Sequence, residues 1–263
     1  MTSTSSRFMF RFTTEKVISQ LRISVEEIND ISAYKNATVG FRSDGVINRL
    51  FGWSLAGKIE KVLKSHLISQ FAGFLISVRL GPDLIKYLAK TVVQDSNPAM
   101  NGWFLEMWFF ASLRNGGVSI KKDETIIHWK EVASVEIFDI DSFQSIPDQE
   151  GVWLKPKKWN QGGFDAVFIY QTSNLENIVR FVQITGGKRH CFKIEYFSMV
   201  LKGLDNHFKI HKIEIFYLVE QTKLSTFSIP GSQVTGQGLL EKNRGSIQCP
   251  DCWIGWMEMI YSL

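Results

Sequence analysis

The chain has 263 residues, of which 44% are hydrophobic, 13% aromatic and 21% charged, so it is a folded globular protein and not a disordered one. That length holds one large domain or two small ones, each with ample core. A net charge of +4 and a pI near 8.9 permit an anionic partner without requiring one. Three cysteines, Cys191, Cys249 and Cys252, form no disulfide framework and suit a reducing compartment. The N-terminal run carries no apolar core of a secretory signal. No stretch approaches the roughly 18 apolar residues of a membrane span, because the densest, Trp103–Phe110, is short and contains Glu106. The chain reads as soluble, with no membrane partner.

In chain order, residues 1–97 read as mainly helical. Thr14 stands as an N-cap before EKVISQLRISVEEI, and Gly40–Trp53 is turn-rich and mixed. The stretches LAGKIEKVLKSHLISQFAGFLISVRL and PDLIKYLAKTVVQD both carry apolar residues at spacings of three and four, with Pro82 at a helix start after Gly81. Asp95-Ser-Asn-Pro98 is a turn cluster and the expected domain boundary. NGWFLEMWFFASLRNGG then reads as a helix stopped by Asn115-Gly116-Gly117, apolar on nearly every side and therefore buried. Its acid, Glu106, lies among Trp103, Phe109 and Phe110, so it must be neutralised, paired (with Arg114, for example) or metal-bound.

Strand candidates follow in GVSIKK, TIIHWK and VASVEIFDI. Pro147 and Pro156 bracket a loop with Lys155, Lys157, Lys158 and Trp159, a set able to contact phosphates and stack on a base, or to serve as an ordinary loop. GGFDAVFIY and IVRFVQI are strands, CFKIEYFSMVLKGL a helix and KIEIFYLV a buried strand. Residues 227–263 read as an irregular tail. Cys249 and Cys252 have the spacing of a zinc knuckle but lack a second pair of ligands.

Each of the two central strands carries a polar residue where a core residue belongs. Alternation puts Asp165 on the face of Val167 and Ile169, and Gln183 on the face of Val179, Phe181 and Thr185. If the strands pair, an acid and an amide oxygen converge on one half-buried surface. Lys188 lies just beyond, in a Thr185-Gly-Gly-Lys188 turn, with His190 as a further polar group. Magnesium or manganese accepts such oxygen ligands while keeping several waters, and a metal-held water attacks a phosphodiester. Lys188 would then neutralise charge on the phosphoryl group. No Walker loop, GxGxxG, GxSxG or HExxH is present.

The runs NGWFLEMWFFASLRNGG, GGFDAVFIY, VRFVQITGGKRH and KIEIFYLV together resemble the C-terminal region of Crinkler effectors of oomycetes and related pathogens. That region is similar to retrotransposon hot spot proteins. The opening SRFMFRFTTEKV resembles the segment that follows a P-loop ATPase in longer Crinklers, so the upstream ATPase and translocation parts are read as missing. The resemblance implies a restriction-endonuclease-like PD-(D/E)xK fold: α/β, a mixed central sheet flanked by helices, in residues 98–226, after a mainly helical part in 1–97. It implies Glu106, Asp165 and Gln183 as Mg²⁺ (or Mn²⁺) ligands, and Lys188 as a catalytic group beside them. Gln183 stands where the family has an acid, and Thr185 where it has its lysine.

Two functions follow. One is a metal-dependent endonuclease-like effector acting on DNA. The other is an inactive nuclease-fold module that binds nucleic acid or a host nuclear protein through Lys155–Trp159. The resemblance further implies secretion and delivery to a host nucleus, although the chain shows no signal for it. A truncated product that folds poorly is a third reading.

Overall fold

The structure is a computed structural model that describes residues 12–28, 51–56, 62–67, 69–92, 98–122, 124–140, 152–158, 161–205, 209–230, 234–235 and 251–257. The chain divides into two compact units at Asn115 and Gly116.

In the first unit, helix α1 (Thr14–Glu26) begins one residue before expectation, because Thr13 is the N-cap and its hydroxyl accepts from Lys16 N. Two antiparallel strands follow, β1 (Phe51–Ala56) and β2 (Val62–Leu67), then helices α2 (Gln70–Leu80), α3 (Pro82–Val92) and α4 (Pro98–Leu113). Residues 55–56 and 62–67, expected to be helical, are therefore strand. Phe51, Trp53 and Leu55 recur at period two. The helix starts only at Ser69, whose hydroxyl caps Ala72 N at 3.1 Å. Gly81, at φ 83°, closes α2, and Pro82 opens α3 with a missing N–H that a helix start does not need.

Helix α4 is buried as its composition requires, with Phe104, Leu105, Phe109, Phe110, Ala111 and Leu113 all at 1% exposure or less. Phe74 of α2 meets Phe110 edge to face at 5.3 Å. Asn115 bonds back to Ala111 O, and Gly116 and Gly117 take the positive φ of the expected stop. The sequence boundary at Pro98 placed this helix with the chain that follows it; the compact units group it with the chain that precedes it.

The second unit is α/β with one mixed sheet. Its strands are β3 (Val118–Lys122), β4 (Thr125–Trp129), β5 (Val135–Phe138), β6 (Trp153–Pro156), β7 (Ala166–Gln171), β8 (Asn177–Ile184), β10 (Lys212–Glu220) and β12 (Asp251–Met257). They lie in the order β4-β3-β12-β10-β8-β7-β6-β5. Strands β6, β7 and β8 form an antiparallel meander; helix α5 (Ile194–Asp205) then leads to β10, parallel to β8. A short pair, β9 (Phe192–Lys193) with β11 (Val234–Thr235), stands apart. Strand β12 falls inside the stretch read as an irregular tail. It runs parallel to β10 and antiparallel to β3, and so joins the β3–β4 hairpin to the rest. A short apolar run such as CWIGWM does not disclose its strand partner until the sheet exists.

The sheet is strongly curled. Strands β4 and β5 are its opposite edges, yet only residues 130–134 connect them. Seven strand spacings at about 4.8 Å would separate flat edges by roughly 34 Å. The connection from Trp129 to Val135 reaches at most about 22 Å fully extended. The edges must bend toward each other. The rings agree, since Trp129 of β4 lies 5.1 Å from Trp153 of β6.

Each face of the sheet has its own interior. On one, Phe197, Val200, Leu201 and Leu204 of α5 pack over Val167, Val179, Phe181, Ile213, Ile215 and Val219. On the concave face, Arg180 lies among four rings, with its guanidinium carbon 4.8 Å from Trp129, 5.0 Å from Tyr170, 5.3 Å from Phe216 and 6.0 Å from Phe168. Glu214 neutralises it at 2.7 Å, and the Tyr170 hydroxyl accepts from Arg180 and donates to Glu214. Burial pushes the Tyr170 phenol above its ordinary value of 10.0, and the Glu214 charge adds to this while Arg180 opposes it.

Two outcomes follow. Glu214→Ala leaves the enclosed guanidinium without its carboxylate and is expected to cost about 3 kcal/mol; Arg180→Met with Glu214→Leu costs less than either single change, measured by urea unfolding with unchanged m value. Because the Tyr170 pKa is raised by folding, its contribution is complete below pH 10 and is lost as pH rises through the folded value. Tyr170→Phe should flatten the decline in stability as pH rises above 10, read as unfolding midpoints measured upward from that pH.

Candidate functional site

The register of the β7–β8 hairpin brings Asp165 and Gln183 together. Ala166 pairs with Val182, and Asp165 N donates to Val182 O at 2.8 Å, so the ladder extends one step beyond β7. Asp165 Oδ2 then accepts from Gln183 Nε2 at 2.6 Å and from Ile184 N at 2.6 Å. Gln183 is 7% exposed, on the α5-facing side with Val179 and Phe181, as alternation requires. The contact between the two residues is through the amide nitrogen. The amide oxygen, Gln183 Oε1, is buried and accepts no hydrogen bond. Buried polar atoms in folded proteins are normally satisfied, and this oxygen joins Trp129 Nε1 and the Tyr217 hydroxyl as a buried group of the second unit without a hydrogen bond among the described residues.

The elements beside Asp165 fix its position. Gly163 turns the chain at φ 87°, and Phe164 fills the core against Phe181 at 5.2 Å and Phe197 at 5.9 Å. Gly162 passes so close to Tyr196 of α5 that an added Cβ would sit 2.3 Å from a ring carbon. The first turn of α5 is thus pressed against the turn that presents Asp165. Sequence reasoning passed over Gly162 and Tyr196; the Gly-Gly pair before a strand was the available signal.

Past Gln183, Thr185 N bonds to Leu218 O and the Thr185 hydroxyl accepts from Gly187 N. The glycines do break the strand as expected. The backbone beyond them is held to Ser228, whose N donates to Lys188 O at 3.0 Å while His190 N donates to Ser228 O. Lys188 is exposed, and its ammonium has no hydrogen bond or ion pair among the described residues. His190 Nδ1 lies 2.8 Å from Cys191 O, which can only accept, so this nitrogen carries a proton. Its ring is 5.7 Å from Tyr217, the β10 residue beside Gln183 in the ladder. Tyr217 is fully buried and was not singled out from the sequence, where it read as one more core strand residue.

Glu106 belongs to the first unit, whereas Asp165, Gln183 and Lys188 belong to the second. Glu106 is 6% exposed and accepts a short hydrogen bond from Gln70 Nε2. Gln70 thus neutralises part of the burial cost of this acid. Its own carbonyl oxygen, Gln70 Oε1, is again buried without a hydrogen bond, which repeats the Asp165–Gln183 arrangement in another fold context.

The lysine set Lys155, Lys157, Lys158 and Trp159 does not form one exposed loop. Lys155 is a buried residue of β6, and Pro156 pairs with Phe138 of β5. Lys157 is exposed and bonds Asp139 at 3.3 Å, Lys158 is exposed, and Trp159 lies outside the described residues. Pairing of β6 with β5 draws the first of these residues, Lys155, into the sheet. Cys249 lies outside the described residues, and Cys252 is a backbone position of β12.

No protein-family model, curated protein or solved structure matches the chain. Among the described residues no group of three His, Cys, Asp or Glu side chains could hold a metal, and no helix is long and apolar enough to cross a membrane. The second unit by itself offers one carboxylate and one orphaned amide oxygen. That donor set fits a hard divalent cation that keeps most of its waters, and it fits neither zinc nor a soft metal.

Gly162→Ala is expected to displace Tyr196 and lower stability by about 1–3 kcal/mol, the range for overpacking a filled site. Gly162→Ala combined with Tyr196→Leu recovers part of that loss in the same urea titration.

Proposed function

We propose that the second unit is a nuclease-like module in which Asp165 and Gln183 hold Mg²⁺ or Mn²⁺ for hydrolysis of DNA phosphodiester bonds, as in a Crinkler-like effector. The observation that carries this reading is the pair itself: a half-buried carboxylate hydrogen-bonded to a buried glutamine whose amide oxygen is unsatisfied. The order of elements supports it. A mixed sheet with the antiparallel meander β6-β7-β8, a covering helix and a strand parallel to β8 is compatible with the general α/β class that the resemblance implies.

When bound, the cation would lower the pKa of a water and stabilise charge on the phosphoryl oxygens. The residues of the chain have separate parts in this. Asp165 supplies the negative charge, and its orientation is set by Ile184 N and the Gly162–Phe164 turn. Gln183 supplies a neutral oxygen, which lowers metal affinity relative to a second acid. Lys188, exposed on the adjoining turn, is the cation available to a phosphate.

One observation favours the alternative of an inactive scaffold. Asp165 Oδ2 already accepts two short N–H bonds, and a metal must compete with them. Calorimetric titration of Mg²⁺ and Mn²⁺, with plasmid nicking alongside, separates the two. Asp165→Asn is the suitable variant, since it keeps an oxygen for Ile184 N and so preserves the fold. Wild-type protein should bind metal and nick DNA, and the variant should lose at least about 100-fold of the nicking rate, the scale at which a metal-site residue acts. A folded wild-type protein that binds neither ion, or an Asp165→Asn form that nicks at the wild-type rate, overturns the metal reading.

A further inference from the structure

The turn that follows β8 carries three cations within six residues: Lys188, Arg189 and Lys193. Lys188 and Arg189 are exposed, and Lys193 is half-buried with its ammonium 5.8 Å from the Tyr196 ring centroid. None of the three forms an ion pair with a carboxylate among the described residues. Other lysines of this unit are engaged: Lys157 with Asp139, Lys212 with Glu214 and Lys223 with Glu220. Lys130, Lys202 and Lys209 are also exposed without an ion pair among the described residues, but each stands apart in the chain, whereas this turn gathers three unpaired cations within six residues.

The turn is also held in place. Ser228 bonds it on both sides, through Lys188 O and His190 N, and residue 189 forms a bridge to residue 228. At its far end Tyr196 is packed on Gly162 and Gly163, the turn that leads into Asp165. The backbone beneath these cations is thus fixed relative to the acid–amide pair, and ordering them on a ligand requires side-chain freedom only.

We infer that Lys188, Arg189 and Lys193 form the surface that contacts the phosphate backbone of nucleic acid, in place of the Lys155–Trp159 stretch. This rests on the proposed nuclease-like reading and deepens it by naming how the polyanion is held beside Asp165 and Gln183. Contacts of this kind are made to phosphates and not to base edges, so the surface is indifferent to sequence and sensitive to salt.

The test is binding of a fluorescein-labelled DNA duplex of about 30 base pairs, followed by anisotropy in EDTA from about 50 to 200 mM KCl, where cations act through counterion release. Arg189→Ala with Lys193→Ala is expected to weaken binding at least about tenfold at the low-salt end. It should also reduce the slope of log K against log salt by about 2, since each phosphate contact contributes about 0.9. Lys202→Ala with Lys209→Ala removes the same charge from exposed positions away from the turn and should change affinity less than about twofold, because screening limits charge effects to roughly 10 Å. Unfolding midpoints confirm that each variant is folded. Equal slopes for wild type and the Arg189/Lys193 variant, equal losses in the two double variants, or no salt-dependent binding by the wild type would each overturn the inference. Because EDTA removes cleavage from the assay, the readings fail separately. Loop-dependent binding without metal-dependent nicking ends the catalytic reading alone, and nicking with unchanged binding ends this one alone.

Discussion

Residues 130–134 impose the constraint on which the second unit depends. A link this short between the two edges of an eight-stranded sheet cannot be spanned unless the sheet curls. Curling gives the concave face an enclosed interior, and Arg180 stands at its centre. Rings from β4, β7 and β10 surround the guanidinium, and Glu214 with Tyr170 completes its hydrogen bonds. A charge so placed is expensive to expose incompletely and expensive to leave unpaired. Curvature and ion pair therefore support one another.

The opposite face serves the candidate site. Helix α5 covers the apolar part of β7, β8 and β10, and Gln183 lies one residue before the end of β8, where that strand gives way to a turn. At that margin an acid, an amide, two glycine turns and an uncompensated set of cations are adjacent in the chain or in the ladder. Core packing holds them through Phe164, Phe181 and Phe197, so their backbone is rigid even where their side chains reach solvent. Rigid support under polar groups is the arrangement that binding and catalysis both require.

The same glutamine–acid pair occurs once in each unit. Gln70 donates to Glu106, Gln183 donates to Asp165, and each amide leaves a buried oxygen unsatisfied. An amide can serve a carboxylate by its nitrogen or a cation by its oxygen, and the same side chain supports either the inactive or the metal-holding form. That duality is why metal titration, and not geometry, separates the two functional readings.

The sequence by itself determined the local features. Period-two alternation placed Asp165 and Gln183 on the correct faces, the apolar helix around Glu106 was read as buried, and Asn115-Gly116-Gly117 marked its end. These follow from the chemistry of neighbouring residues, which a sequence carries in full. The tertiary structure alone decided what depends on distant partners. Residues 55–56 and 62–67 became strands instead of helix, Lys155 entered a buried strand, and residues 251–257 joined the sheet between β10 and β3. In each case pairing of the backbone with another strand, nearby in the chain for the first and farther along it for the others, outweighed a local preference worth only tenths of a kilocalorie per residue.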